Sequence, residues 1–201
     1  MKMSISDRLF LLAAVLLSAW QIVVGIDNLS RQAIWAYTVA FGVLLVAALM
    51  LIILGFEALD SAVVVIVATV IPLSLGLGLV WDHLPAWRLP FAIFALAGLI
   101  AVSLTRYLKV PPLARTVVLA AVHGLAGLFI FLLPLYAAFS GGARPAFALV
   151  GLGGGLIGSA GLLLFFLRAG RPLLPRETVF RFLPALLLLM TACFAAGFLW
   201  G

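Results

Sequence analysis

The sequence predicts an all-α membrane protein, a single bundle of seven transmembrane helices spanning residues 1–201. Three observations carry that prediction. Of the 201 residues, 67% are hydrophobic and 9% are charged, and the mean hydropathy is +1.37, a composition of membrane chains. Seven stretches reach the roughly 20 apolar residues needed to cross a hydrocarbon core. The cations between them alternate in number from one connector to the next, as the positive-inside rule requires of a polytopic protein.

The spans are expected at Leu9 to Ile26, Ile34 to Phe56, Ser61 to Trp81, Leu89 to Leu108, Leu113 to Phe139, Pro145 to Leu167 and Val179 to Trp200. The first has the charged start and apolar run of a signal peptide. Its apolar stretch continues to Ile26 without a small-residue cleavage site, which favours a retained helix. Pro90 and Pro145 stand where a first helical turn tolerates proline, and Asn28, Ser30, Asp60 and Ser61 are turn and cap residues. Connectors this short place successive spans as antiparallel neighbours. Spans one to three and five to seven would then be parallel triplets, but only Trp81 with Trp200 and Pro72 with Pro184 correspond between them, too little to establish a repeat.

On the side that holds the N-terminus lie Lys2, Arg8, Arg106, Lys109, Arg115, Arg168, Arg171, Arg176 and Arg181; the other side has Arg31, Arg88 and Arg144. Nine cations against three predict a cytoplasmic N-terminus and a C-terminus outside. Trp35, Trp81, Trp87 and Trp200 fall at the outer edge, as interfacial anchors do. A plasma membrane, or the inner membrane of a bacterium, fits that orientation.

Several classes of chemistry are disfavoured. The pI of about 10.5 reflects cations at span ends, where anionic lipid explains them, so no nucleic-acid partner is expected. One cysteine, Cys193, excludes a disulfide framework and a Cys-based metal site. No span carries Asp, Glu, Lys or Arg in its middle third, which argues against a side-chain proton relay. Lys2 and Lys109 both lie outside the spans, so no lysine is placed to carry a retinal-type Schiff base. His83 and His123 differ in depth by about 15 Å or more at 1.5 Å per residue, too far to share one heme. No metal or cofactor is therefore expected, and catalysis is not favoured.

What does gather is a layer of uncharged polar side chains. Counted from the N-terminal side of the membrane, Ser18, Gln21, Thr69, His123 and Ser159 fall about 12 to 18 Å deep, with Thr191 at about 18 Å. Five helices thus contribute to one level near the midplane, where carriers place their sites. Pro72 and Pro184 lie on two of these helices and free backbone carbonyls nearby. Ser and Thr also bond their own helix one turn back, so the same layer is compatible with ordinary core polarity.

Two functions follow. The first is a small facilitator or carrier for a neutral or weakly polar solute, with Ser18, Gln21, Thr69, His123 and Ser159 as its ligand-binding layer. The second is a non-catalytic subunit or anchor of a larger membrane complex. For the second, the sixth span offers the small-xxx-small pairs Gly151/Gly155, Gly154/Gly158 and Gly155/Ser159, and Gly151, Gly155 and Gly158 form its expected interface with a membrane partner or a second copy. Ala120, His123, Gly124 and Gly127 share one face of the fifth span, which turns the imidazole toward protein. Glu57 and Asp60 are expected to pair with Arg106 or Arg115, and Arg168, Arg171 and Arg176 could meet a lipid headgroup.

Overall fold

The computed structural model describes residues 3–27 and 29–201. It is all-helical, and seven of its helices are long and apolar enough to cross a membrane. They are α1 (Ile5–Val24), α2 (Arg31–Leu54), α3 (Ala62–His83), α4 (Arg88–Tyr107), α5 (Pro112–Phe139), α6 (Ala148–Arg168) and α7 (Arg176–Trp200). The Met3 end of the bundle is called here the N-face and the Trp200 end the C-face.

Cap chemistry sets several boundaries. Helix α1 starts four residues before the apolar run because Ser4 and Asp7 form a reciprocal capping box: Asp7 N donates to Ser4 Oγ at 3.1 Å and Ser4 N donates to Asp7 Oδ2 at 2.8 Å. It ends two residues before Ile26, at Gly25, whose φ of 73° lies in the left-handed region that glycine enters without penalty. Ser30 caps α2, accepting from Ala33 N at 3.2 Å. Ser61 holds the N-cap position of α3 without a side-chain bond. Asn28 and Lys2, named above as a turn residue and a cation, lie outside the described residues.

The second span does not run on to Phe56 as an α-helix. Gly55, with φ 71°, stops it, and Gly55–Asp60 forms a 3₁₀ segment. Phe56 and Ala58 of this segment are buried. The Phe56 ring lies 5.0 Å from that of Phe180 on α7, and Ala58 packs with Leu11, Leu51 and Val64. The segment thus turns back across the N-face and is pinned there. Arg168 Nη2 at the end of α6 donates to Leu59 O at 2.8 Å and sits 3.4 Å from Asp60 Oδ1. The acidic segment therefore pairs with Arg168 and not with Arg106 or Arg115. Facing residues 59 and 60 across the N-face, the end of α6 is nearer than its sequence separation suggested.

Helix neighbours run α1, α2, α3, α5, α6, α7 and back to α1, so six helices close a ring, and α4 stands outside it against α3 and α5. Only 17% of the most apolar window of α4 is buried, against 50% for α3, which confirms its peripheral place. Glycines set the close approaches: a Cβ at Gly76 would lie 2.6 Å from the Phe91 ring, one at Gly98 3.0 Å from Val122, and one at Gly197 2.7 Å from Val150 N. At Gly197 backbone meets backbone, and at Gly76 and Gly98 a side chain rests on bare backbone.

Candidate functional site

Large side chains fill the ring. Toward the C-face the rings of Tyr37 and Phe198 stack at 4.6 Å, Phe41 and Phe147 each lie 6.1 Å from Phe198, and His83 lies 5.0 Å from Phe147. Tyr37 and Phe41 reach α7 across the interior, because α2 and α7 are not backbone neighbours. Toward the N-face the 3₁₀ segment with Phe56 closes the bundle.

Ser18, Thr69 and Thr191 are each 0% exposed, and Gln21 is 2% exposed. They are the four buried polar residues among the described residues, and all were named in the layer read from the sequence. Every hydroxyl donates to the carbonyl one turn back: Ser18 Oγ to Ala14 O at 2.8 Å, Thr69 Oγ1 to Val65 O at 2.7 Å and Thr191 Oγ1 to Leu187 O at 2.7 Å. Their donors are used, and their lone pairs stay open to a further donor. Gln21 Nε2 donates to Gly25 O at 2.9 Å, closing the end of α1.

His123 and Ser159 take different positions. Ser159 is exposed on the surface of α6, with Oγ donating to Gly155 O at 2.8 Å. His123 is partly buried on α5, its Nδ1 3.1 Å from Leu119 O. A carbonyl only accepts, so Nδ1 carries the proton and Nε2 is left as an acceptor. Equal depth therefore does not bring all five residues inside: Ser18, Gln21 and Thr69 lie in the ring, and His123 and Ser159 lie on the two helices of its α5–α6 side.

Those helices meet near the C-face and part toward the N-face. A Cβ at Gly151 would lie 2.7 Å from Leu135 Cγ and from Phe131 O, one at Gly154 2.9 Å from Ile130 Cγ2, and one at Gly155 3.1 Å from the Phe131 ring. Numbers on α6 rise as those on α5 fall, so the pair is antiparallel. Gly158 and Gly161 follow Gly151 and Gly154 by one heptad and keep their heading, and Gly124 precedes Phe131 by the same interval. That register brings Gly158 to the level of Gly127 and Gly161 to that of Gly124. A Cβ at any of these four would meet nothing within 4 Å. These four positions therefore face open space, and Gly124, Gly158 and Gly161 are exposed. Of the expected interface residues, Gly151 and Gly155 face α5 of the same chain and Gly158 is exposed to open space.

Three features had not been singled out in the sequence. Pro134 is fully buried inside α5, and it leaves the Ile130 carbonyl without an intrahelical donor. Tyr37 is 2% exposed, yet its Oη, like Gln21 Oε1, has no hydrogen-bond partner among the described residues. A small recess of about 20 Å³ adjoins both, between the C-face ends of α1 and α2. A second, about 10 Å³, lies among Ala40, Phe41, Leu44, Ile71, Leu75 and Phe194. A tyrosine seven residues into a span, opposite Gly78, was the available signal for the first. Among the described residues no three His, Cys, Asp or Glu side chains come together.

Comparison with protein-family models, with curated proteins and with solved structures finds no match.

Proposed function

We propose that this chain is a small multi-pass facilitator for a neutral or weakly polar solute, in a closed conformation. The observation that carries the reading is the ring itself: six helices with buried, uncharged oxygens at Ser18, Thr69, Thr191 and Gln21, with packed aromatics toward one face and the Phe56 segment toward the other. Oxygens whose donors are already used offer acceptor sites to a passing N–H or O–H, and the absence of charge in the layer favours an uncharged solute over an ion. The N-terminus is assigned to the cytoplasm by the nine-to-three cation bias. In that orientation the Phe56 segment is the inner closure.

The test is flux in vesicles of purified protein, across a panel of neutral and charged small solutes. A neutral solute should cross faster than in protein-free vesicles and faster than charged solutes of similar size. If no solute in the panel crosses faster, the facilitator reading fails.

A second reading, a non-catalytic subunit or anchor of a membrane complex, is favoured by the open glycine positions of α5 and α6. Bare backbone at Gly124, Gly127, Gly158 and Gly161 is the surface that lets another transmembrane helix approach closely. Mild-detergent copurification of a stoichiometric partner, lost on Gly158→Leu, would support it.

A further inference from the structure

On the N-face, where α4 and α6 end and α5 begins, we infer that Arg106, Arg115 and Arg168 form a site for a phosphate monoester. Arg106 is the centre of the argument. It follows Phe91, Gly98 and Val102, the buried residues of α4, along one helical stripe. That stripe packs on α3 and α5, with Phe91 against Gly76 and Gly98 against Val122. Arg106 is thus on the bundle side of the last turn of α4. It is half-buried, and its Nε is buried without a hydrogen-bond partner among the described residues. A guanidinium keeps its charge and only donates, so this group calls for an acceptor from outside the chain.

Its surroundings sharpen that demand. Arg115, in the first turn of α5, folds back on the connector, Nε donating to Val110 O at 3.0 Å and Nη2 to Leu108 O at 3.5 Å. Its guanidinium therefore sits beside backbone two residues past Arg106. Arg168 closes α6, held by Leu59 O and Asp60. Arg115 and Arg168 are the two charges that act on Arg106, and no carboxylate offsets them there. Arg168–Asp60 is the one ion pair among the described residues, so three cations less one carboxylate leave a net charge of +2. A phosphate monoester carries about −1.5 to −2 near neutral pH and presents three oxygens to arginine forks, whereas a diester carries a single charge. Arg176, expected to share in such recognition, lies instead over the Phe180 ring at 5.3 Å. Arg106 stands at the end of its span, the level of lipid headgroups, so the phosphate can arrive on a lipid or from solution. This inference rests on the N-face arginines and not on passage of a solute through the ring.

The whole protein in phosphatidylcholine nanodiscs is titrated with phosphatidic acid, a monoester, and with phosphatidylglycerol, a diester, and bound lipid is counted by native mass spectrometry. Phosphatidic acid should be retained in preference to phosphatidylglycerol. Arg106→Gln should weaken its retention by about tenfold or more, and Arg106→Lys, which keeps the charge but loses the fork, by less. Arg176→Gln should leave it unchanged. Melting temperatures report whether each variant folds, and the comparison of the two lipids on the parent chain needs no variant. Inorganic phosphate in millimolar excess tells the sources apart: displacement of the lipid assigns the site to soluble phosphates as well, and persistence assigns it to lipid-borne phosphate. Equal retention of the two lipids, undiminished retention in a folded Arg106 variant, or an equal loss in Arg176→Gln would overturn the inference. The arginines would then be orientation signals that attract anionic lipid without selecting it.

Discussion

At the scale of single residues, the interior hydroxyls are satisfied locally. Ser18, Thr69 and Thr191 each satisfy their proton on their own helix, so no tertiary hydrogen bond holds the bundle at this level. Their removal should therefore be mild. Thr69→Val and Ser18→Ala are expected to change stability by less than about 1 kcal/mol, below the average for interhelical polar contacts in membranes or close to it. If the layer serves a solute, the same variants should slow its flux in vesicles while the melting temperature stays put. A large loss of stability would mean that the hydroxyls are structural, and unchanged flux would remove them from the path. His123 is a parallel case. Its bond to Leu119 O is local, so His123→Ala should also cost on the order of 1 kcal/mol or less, measured as a small drop in melting temperature.

At the scale of elements, α6 uses its glycines in two ways along one length. Gly153 and Gly154 are closed sites: a Cβ at the first would lie 2.8 Å from the Phe194 ring and one at the second 3.0 Å from Ile130 C. Backbone cannot give way as a flexible side chain can. Gly154→Leu should therefore lower the melting temperature strongly, by an amount equivalent to about 1 to 3 kcal/mol or more, the usual range for overpacking. Gly158→Leu should fold like the parent, since its Cβ meets nothing within 4 Å. Thermal unfolding of the two variants side by side decides it; equal losses would mean that the space at Gly158 is closed. The glycine pattern alone could not separate these uses, because heptad spacing makes Gly151 and Gly158, or Gly154 and Gly161, equivalent. What separates them is what each faces in the folded bundle, packed neighbours at Gly151 and Gly154 and open space at Gly158 and Gly161. The spans themselves were legible because about 20 apolar residues have few other fates. Their ends were less so, since they depend on local caps such as Ser4 with Asp7, and on Gly25 and Gly55 taking positive φ. Counting along the spans gives a depth, and Ser18, Gln21 and Thr69 are all buried. Facing was not legible, because by the same count Ser159 lies as deep as Thr69 but looks outward.

At the scale of the whole molecule, the ring and the orientation rest on different physics. The ring comes from packing and would be the same in either orientation, whereas the orientation follows from where cations stop during insertion. Lys109 and Arg171 lie in connectors on the N-face, and Arg144 and Gly201 lie at the C-face. With the native thiol of Cys193 replaced by serine, single cysteines at these four positions report the two sides separately. Lys109→Cys and Arg171→Cys should be protected from a membrane-impermeant thiol reagent in intact cells and become reactive once the membrane is permeabilised. Arg144→Cys and Gly201→Cys should react without permeabilisation. The reverse pattern would invert the molecule. It would turn the Phe56 segment and its Arg168 latch into the outer closure, and the recess at Tyr37 and Gln21 would then face the inner leaflet.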